Sequence, residues 1–388
     1  MHDKSGHEPP QSYRQRRRKV VLLYWGRRGG GSEFTLSLAQ HLRQSSQEID
    51  VVLSLARQNN DIEGFRAAGF PIVTFDRPSL STLWKQAWSL PGELRAHADT
   101  LASAKLDAVI ITMNAPFAWP FVNVLQRRGI KVFYVAHDAE PHPGDYAVLW
   151  QRVTQDRLIK RANGVVALSN SVARRIDKRI PESSRKLSVI PLETAYPTKR
   201  LQLPYEAGPV RLLFYGRLLP YKGLDLLARA LEGLRARPGW RLTIAGSGPL
   251  EVAIRRSFAA WEQVDLELGW ISDRREKELL SSHHLLLCPY VEASQSGVVA
   301  QAMSWAMPSL VMPAGSLPEQ IGFGRAGLVA LTKDADGFRR CLQSVLERPE
   351  SLTELSRTTA EWLAERQASR AWTELIEPCH TSYGESSA

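Results

Sequence analysis

Short apolar runs alternate with amphipathic helical stretches from Lys19 onward, and this alternation constrains the fold more than any other feature of the chain. The runs read as strands at Val20–Trp25, Val51–Leu55, Pro71–Phe75, Asp107–Thr112, Lys131–Val135, Gly164–Leu168 and Leu187–Ile190. Strand and helix in strict turn predict a parallel sheet with helices on both faces. The rhythm pauses over residues 191–209, where four prolines (Pro191, Pro197, Pro204, Pro209) interrupt it. It then restarts with strands at Val210–Tyr215, Arg241–Ala245, Leu285–Cys288 and Ser309–Met312 and a helix over Leu224–Leu234. The expected fold class is therefore α/β, with two facing Rossmann-like domains and an interdomain cleft. Ligands of such sheets bind beyond the carboxyl ends of the strands, which makes the cleft the expected site.

The expected boundaries are a disordered basic tail over 1–18, a first domain over 19–195 and a second over 205–365. Residues 366–388 read as a terminal helix crossing back to the first domain, with Trp362, Trp372 and Leu375 as anchors. The 388 residues carry a net charge of +10, unevenly spread. Residues 1–200 hold 30 Lys and Arg against 18 Asp and Glu (+12); the remainder holds 20 against 22 (−2). A polycationic first half points to an anionic partner. Arg14–Lys19, Arg27, Arg28, Lys85 and Arg127–Lys131 suit an anionic membrane surface or a lipid diphosphate. Leu83, Trp84, Trp88 and Leu90 either dip into such an interface or pack in the core. Nucleic acid is not the expected partner, because the basic run Arg14–Lys19 has only Tyr13 beside it for stacking. Cys288, Cys341 and Cys379 are too scattered for a disulfide framework or structural zinc. No run approaches the ~18 apolar residues of a spanning helix. The first 30 residues lack an apolar signal core, so a cytoplasmic location is expected.

Five loops carry chemistry. Gly26-Arg27-Arg28-Gly29-Gly30-Gly31-Ser32 joins the first strand to a helix over Glu33–Leu42. Either Gly29, Gly30 and Gly31 admit a ligand close to the backbone, or the loop is a tight turn capped by Ser32. His137 and Asp138 open a Pro-stiffened loop that continues to His142 and Asp145. Proton or charge-stabilising work on a substrate is one reading, a metal site another and a plain polar turn a third; no metal is expected. In Gly216-Arg217-Leu218-Leu219-Pro220-Tyr221-Lys222-Gly223, Arg217 and Lys222 sit where two cations can hold two phosphate groups, the alternative being solvated surface charge. Gly246-Ser247-Gly248-Pro249 occupies the equivalent place in the next strand-helix unit. Glu292, Ser294, Gln295, Ser296, Gly297 and Val298 lead into an apolar helix over Val298–Met307, which includes Gln301. Its N-terminal amides would aim at an anion, with Ser294 and Ser296 as ligand contacts or as caps.

In this order the segments resemble the family-4 retaining glycosyltransferases built from two Rossmann domains, the GT-B architecture. GRLLPYKGLDLLARAL is similar to that family's GR…KG segment, RLTIAGSGP to its G.GP segment, and SQSGVVAQAMSWAMPSLVMPAGSLPE to its donor-site helix and following GG.PE loop. FYVAHDAEPHPG resembles the HPG loop of a bacterial subgroup. The resemblance implies transfer of a sugar from a nucleotide-diphosphate sugar to an acceptor, a glycan or lipid-linked glycan of the cell envelope, with retention and with neither metal nor cofactor. A sugar-nucleotide epimerase on the same architecture is the alternative. It implies Arg217 and Lys222 on the donor diphosphate and His137 lining the sugar pocket. Gly29–Gly31, Ser247, Gly248 and the Ser296–Val298 amides would complete the donor site. Two departures stand out: where the family carries paired glutamates, this chain has Ala293, beside Glu292, and Gln301.

Overall fold

The computed structural model describes residues 17–27, 29–76, 88–115, 117–141, 148–192, 205–367 and 370–376. Most of the basic tail, Arg28, Leu83, Trp84, Lys85, His142, Asp145 and Cys379 lie outside the described residues.

The first sheet has seven strands: β1 (Arg18–Tyr24), β2 (Ile49–Ala56), β3 (Ile72–Phe75), β4 (Ala108–Ile111), β5 (Lys131–Ala136), β6 (Gly164–Ala167) and β7 (Leu187–Val189). Their order is β3-β2-β1-β4-β5-β6-β7. Every pairing is parallel, with Val20 of β1 opposite Val51 of β2 and Ala108 of β4. The second sheet has six: β8 (Val210–Tyr215), β9 (Trp240–Gly246), β10 (Val264–Leu268), β11 (Leu285–Cys288), β12 (Ser309–Val311) and β13 (Gly327–Val329). Their order is β10-β9-β8-β11-β12-β13, again wholly parallel. Central strands are buried on both faces, which is why Val20–Leu23 and Leu285–Cys288 are uninterrupted apolar runs. The order reverses between β1 and β4 in one sheet and between β8 and β11 in the other. At such a reversal the two following loops part, leaving a crevice.

Two local expectations are corrected. The helix after β1 runs Gly30–Ser45, so Gly30 and Gly31 belong to its first turn and Gly29 (φ 92°) is the residue that caps it. Ser32 lies buried inside that turn and is no cap. The reason is packing: a Cβ on Gly31 would fall 2.5 Å from the Tyr24 ring and 2.9 Å from Met113. The helix after Ser296 spans Gly297–Ser304, stopping before Met307, because Ala306 (φ 54°) has already left helical geometry ahead of Pro308.

The terminal Ala371–Ile376 helix lies on the Gly30–Ser45 helix, with the Trp372 and Phe34 ring centroids 6.2 Å apart. Arg18 Nη1 donates to the Ile376 carbonyl at 3.0 Å, and Arg366 Nη2 to the Leu192 carbonyl at 3.3 Å. Within the first lobe, the His97 ring is enclosed by Trp25, Phe75 and Phe121, and its Nε2 lies 2.9 Å from Ser54 Oγ, which also receives Trp25 Nε1–H. Burial holds the imidazole down at about 4, against an ordinary value of 6.5. Between those values the unfolded chain binds the extra proton, so stability falls as pH drops from 6.5 towards 4, by about 3 kcal/mol from this group. Urea denaturation at pH 7 and at pH 4.5 should show that fall, and it should be shallower in His97→Gln, which starts from a lower stability.

Candidate active site

The second-lobe half of the site grows from the loops after β8, β9 and β11. Gly216 and Arg217 follow β8, and Arg217 is exposed, with Nη2 3.4 Å from Tyr221 Oη. Pro220–Lys222 forms a 3₁₀ turn, so Lys222 precedes the next helix, Leu224–Glu232, and does not start it. Lys222 is not a solvated cation either: it is 7% exposed, and Nζ donates to Tyr290 Oη at 2.7 Å. Burial lowers its ammonium to about 8. Gly223 (φ 68°) permits the close approach behind this arrangement, since a Cβ there would collide with the Pro289 carbonyl oxygen. Leu218 N–H donates to the Ser247 carbonyl at 2.8 Å, and a Cβ on Gly248 would lie 2.5 Å from the Leu218 carbonyl oxygen. Ser247 and Gly248 thus abut the Arg217 loop.

Ser296 caps the Gly297–Ser304 helix, Oγ accepting from Val299 N–H at 3.4 Å. Gln320 fixes Ser296 from both sides, accepting its N–H at 2.9 Å and donating to its carbonyl at 2.8 Å. Gly297 is exposed, and Val298 faces Gly216, whose Cβ would lie 3.2 Å from Val298 Cγ2. The helix N-terminus therefore opens beside the loop that carries Arg217 and Lys222. Glu292 is exposed, and Ser294 is buried with its carbonyl 3.5 Å from Ser169 Oγ of the first lobe.

The first-lobe half comes from the ends of β1, β4 and β5. His137 donates from Nε2 to the Thr112 carbonyl at 2.8 Å, and its ring meets Phe34 edge-on at 4.7 Å. Burial lowers its pKa against the opposing effect of Asp138, so the ring is neutral and Nδ1 is its acceptor. Gln155 Nε2 donates to the Asp138 carbonyl at 2.6 Å, fixing the start of that loop. Gly29 and Gly30 border open space, whereas Gly31 is packed. Gln295 Nε2 donates across the cleft to the His137 carbonyl at 3.0 Å, and Asn170 N–H and Nδ2 donate to Glu319 Oε1 at 3.0 and 2.8 Å. A shallow crevice lies along this seam; its lining includes Gln295 and Glu319 but neither Arg217 nor Lys222.

Gln301 has a position the sequence did not disclose. Its Nε2 donates to Glu33 Oε2 of the first lobe and to Glu276 Oε1 of the second, both at 3.0 Å. Tyr215 Oη donates to the other Glu276 oxygen. Burial, reinforced by Glu276, Asp273 and Asp61, pushes Glu33 up to about 7, and burial raises Glu276 as well. Glu33 and Glu276 escaped sequence reasoning because acidic residues in the first turn of a helix are ordinary dipole partners. Tyr290 opens the loop that leads into the apolar helix, but no sequence feature marks it for a role of its own. Among the described residues no three His, Cys, Asp or Glu side chains converge as metal ligands, and no helix is long and apolar enough to cross a membrane. Gln301→Glu would set a third carboxylate between Glu33 and Glu276, removing two hydrogen bonds to charged groups. Thermal melts should show a loss of about 2 kcal/mol at pH 8 that shrinks at pH 5, where protonated carboxyls again donate.

A family model described as Glycosyltransferase Family 4 matches residues 28–192, and one described as Glycosyl transferases group 1 matches residues 209–348. The chain is 27% identical over 177 residues to YqgM of Bacillus subtilis, an uncharacterized glycosyltransferase, covering 42% of this chain and 47% of that protein. The chain thus spans about half the length of that relative. It is 24% identical over 265 residues to the D-rhamnosyltransferase WbpZ of Pseudomonas aeruginosa, covering 65% and 68% of the two chains. Its fold is like that of the Anabaena protein HepE, solved in complex with UDP and glucose, with TM-score 0.68, 14% identity and coverage of 90% and 95%. With both lobes matched in order, the chain belongs to the group 1 glycosyltransferases, a Glycosyltransferase Family 4 domain followed by a group 1 domain on the GT-B fold.

Proposed function

We propose that this enzyme moves a sugar from a nucleotide-diphosphate sugar to an acceptor hydroxyl with retention at the anomeric carbon, without a metal. The observation that carries the reading is the meeting of the Arg217–Lys222 loop with the N-terminus of the Gly297–Ser304 helix at the crevice between β8 and β11. When the bond from the anomeric carbon to the diphosphate breaks, its electron pair stays on the leaving oxygen. Fixed positive groups stabilise that charge most when they are already oriented and partly desolvated. Arg217 offers a fork, Lys222 a point charge, and the amides of Gly297 and Val298 the helix dipole. Ser247 and Gly248 lie beside the nucleotide, with Gly216, Ser294, Ser296 and Gln295 framing it. His137, neutral and fixed through Nε2, presents Nδ1 to a sugar hydroxyl, with Asp138 beside it and Gly29 and Gly30 bordering the cleft. Gln301 and Ala293 stand where the resembling family has its acidic pair, with exposed Glu292 beside Ala293. A UDP-sugar is the first donor to try, because the Anabaena protein was solved with UDP and glucose.

The acceptor in this reading is a glycan or lipid-linked glycan of the cell envelope, held by the first lobe and met at the cytoplasmic face of the membrane. Trp88 is 94% exposed, and Leu149 and Trp150 are exposed at the start of the Val148–Arg161 helix beside the His137 loop. Arg157 and Arg161 lie over Trp119 on that helix's neighbour, each 4.9 Å from the ring centroid. Exposed apolar side chains in a lobe that also carries these arginines suit an anionic lipid surface.

In a thermal-shift panel of nucleotide sugars the cognate donor should raise the melting temperature. Nucleotide release should then require an acceptor, survive EDTA and give product of unchanged anomeric configuration by NMR. Lys222→Ala should cut kcat/KM by roughly 10²-fold or more. Donor consumption with no acceptor, or full turnover in Lys222→Ala, would reject the reading. Sedimentation with liposomes should occur with anionic lipid and vanish with neutral lipid; equal, negligible binding to both would reject the membrane surface.

A further inference from the structure

We propose that Tyr290 is a positioning residue that holds Lys222 in place and couples it to the capped end of the Gly297–Ser304 helix, so that both halves of the anion site are presented as one unit. This rests on the diphosphate reading of Lys222 and adds to it a residue outside the motifs.

Lys222 is buried, and no carboxylate among the described residues pairs with it. Its surroundings are the Cys288 thiol, the Arg217 guanidinium and the phenols of Tyr221 and Tyr290. The thiol is pushed up to about 12 by burial and stays neutral. A buried ammonium of this kind needs hydrogen-bond acceptors or a ligand. Tyr290 meets the need in two ways: Oη accepts from Nζ at 2.7 Å, and the ring centroid lies 3.9 Å from the same nitrogen. One N–H of three is thereby used, leaving the others for an anion. The phenol is 1% exposed and lies beside the side chains of Ser296, the cap of the Gly297–Ser304 helix, and of Cys288 at the end of β11. The Tyr221 ring stands edge-on to it at 6.4 Å and 85°, and Val291 N–H donates to the Tyr221 carbonyl at 2.9 Å, which locks the two loops together.

Tyr290→Phe keeps the ring and removes only the hydroxyl. In protein carrying lysine labelled with ¹³C at Cε, the Lys222 resonance should titrate near 8. Tyr290→Phe should move that titration down by about one pH unit, because an acceptor that favours the charged form is gone. The shift needs no ligand, so it stands apart from the diphosphate reading; an unmoved Lys222 titration in a variant with an unchanged melt overturns the proposal. Binding of UDP, GDP and ADP gives the second test. Tyr290→Phe should weaken the tightest of them about tenfold, and should add nothing in a Lys222→Ala background. Equal loss in both backgrounds overturns the coupling while leaving Lys222 its role. If Lys222→Ala binds these diphosphates as the parent does, the diphosphate reading fails, and the titration alone decides whether Tyr290 positions Lys222: a downward shift in Tyr290→Phe upholds it and an unmoved one overturns it.

Discussion

Parallel strands must be joined by crossovers that pack on the faces of the sheet, and this leaves every loop that follows a strand at one edge. The rest of the structure depends on that constraint. It is met twice, and in each sheet the strand order reverses once, between β1 and β4 and between β8 and β11. Of the loops that part at those reversals, those after β1 and β8 are rich in glycine and cations and the one after β11 in hydroxyls. Seen this way, the site is a property of two sheet edges brought face to face, and individual side chains are tenants of positions the topology had already opened.

The charges are distributed unequally across those edges. On one side Lys222 is buried with no carboxylate paired to it among the described residues, its partners including phenols and a neutral thiol. A carboxylate neighbour would neutralise it, whereas a phenol satisfies one N–H and leaves most of the potential available to a ligand. A short way along the same lobe Glu276 is paired with Tyr215 and, through Gln301, with Glu33 of the other lobe. Positive and negative groups are thus segregated along the cleft, which gives a bound molecule a polarity to follow.

Much of the fold was legible because buried parallel strands have to be apolar on both faces. Val20–Leu23, Ala108–Ile111 and Leu285–Cys288 announce themselves by that alone. The edge strands of the second sheet did not: in β10 (Val264–Leu268) Asp265 and Glu267 break the run, and β13 is three residues long. The loops that carry Arg217 and Ser296 were legible from glycine and cation placement after strands. A serine following glycines has the chemistry of a cap, which left the start of the first helix open between two readings; the helix begins at Gly30, with Gly31 packed against the Tyr24 ring. The burial of Lys222 under Tyr290, and the meeting of Glu33 with Glu276, are long-range facts. Sequence proximity holds no trace of either, since the partners stand 68 residues apart in the first case and Gln301 lies 268 residues from Glu33.

The amide at Gln301 has a consequence for how the lobes part and rejoin. Its nitrogen carries two hydrogens and spends one on each lobe. Such a group neither gains nor sheds a proton over the range in which proteins stay folded, so it can let go of Glu33 and still be held by Glu276 on its own side. Were the lobes to separate at this point, the bond to Glu33 would break while Gln301 stayed anchored on Glu276, placed to re-form it with no proton for the amide itself to gain or lose.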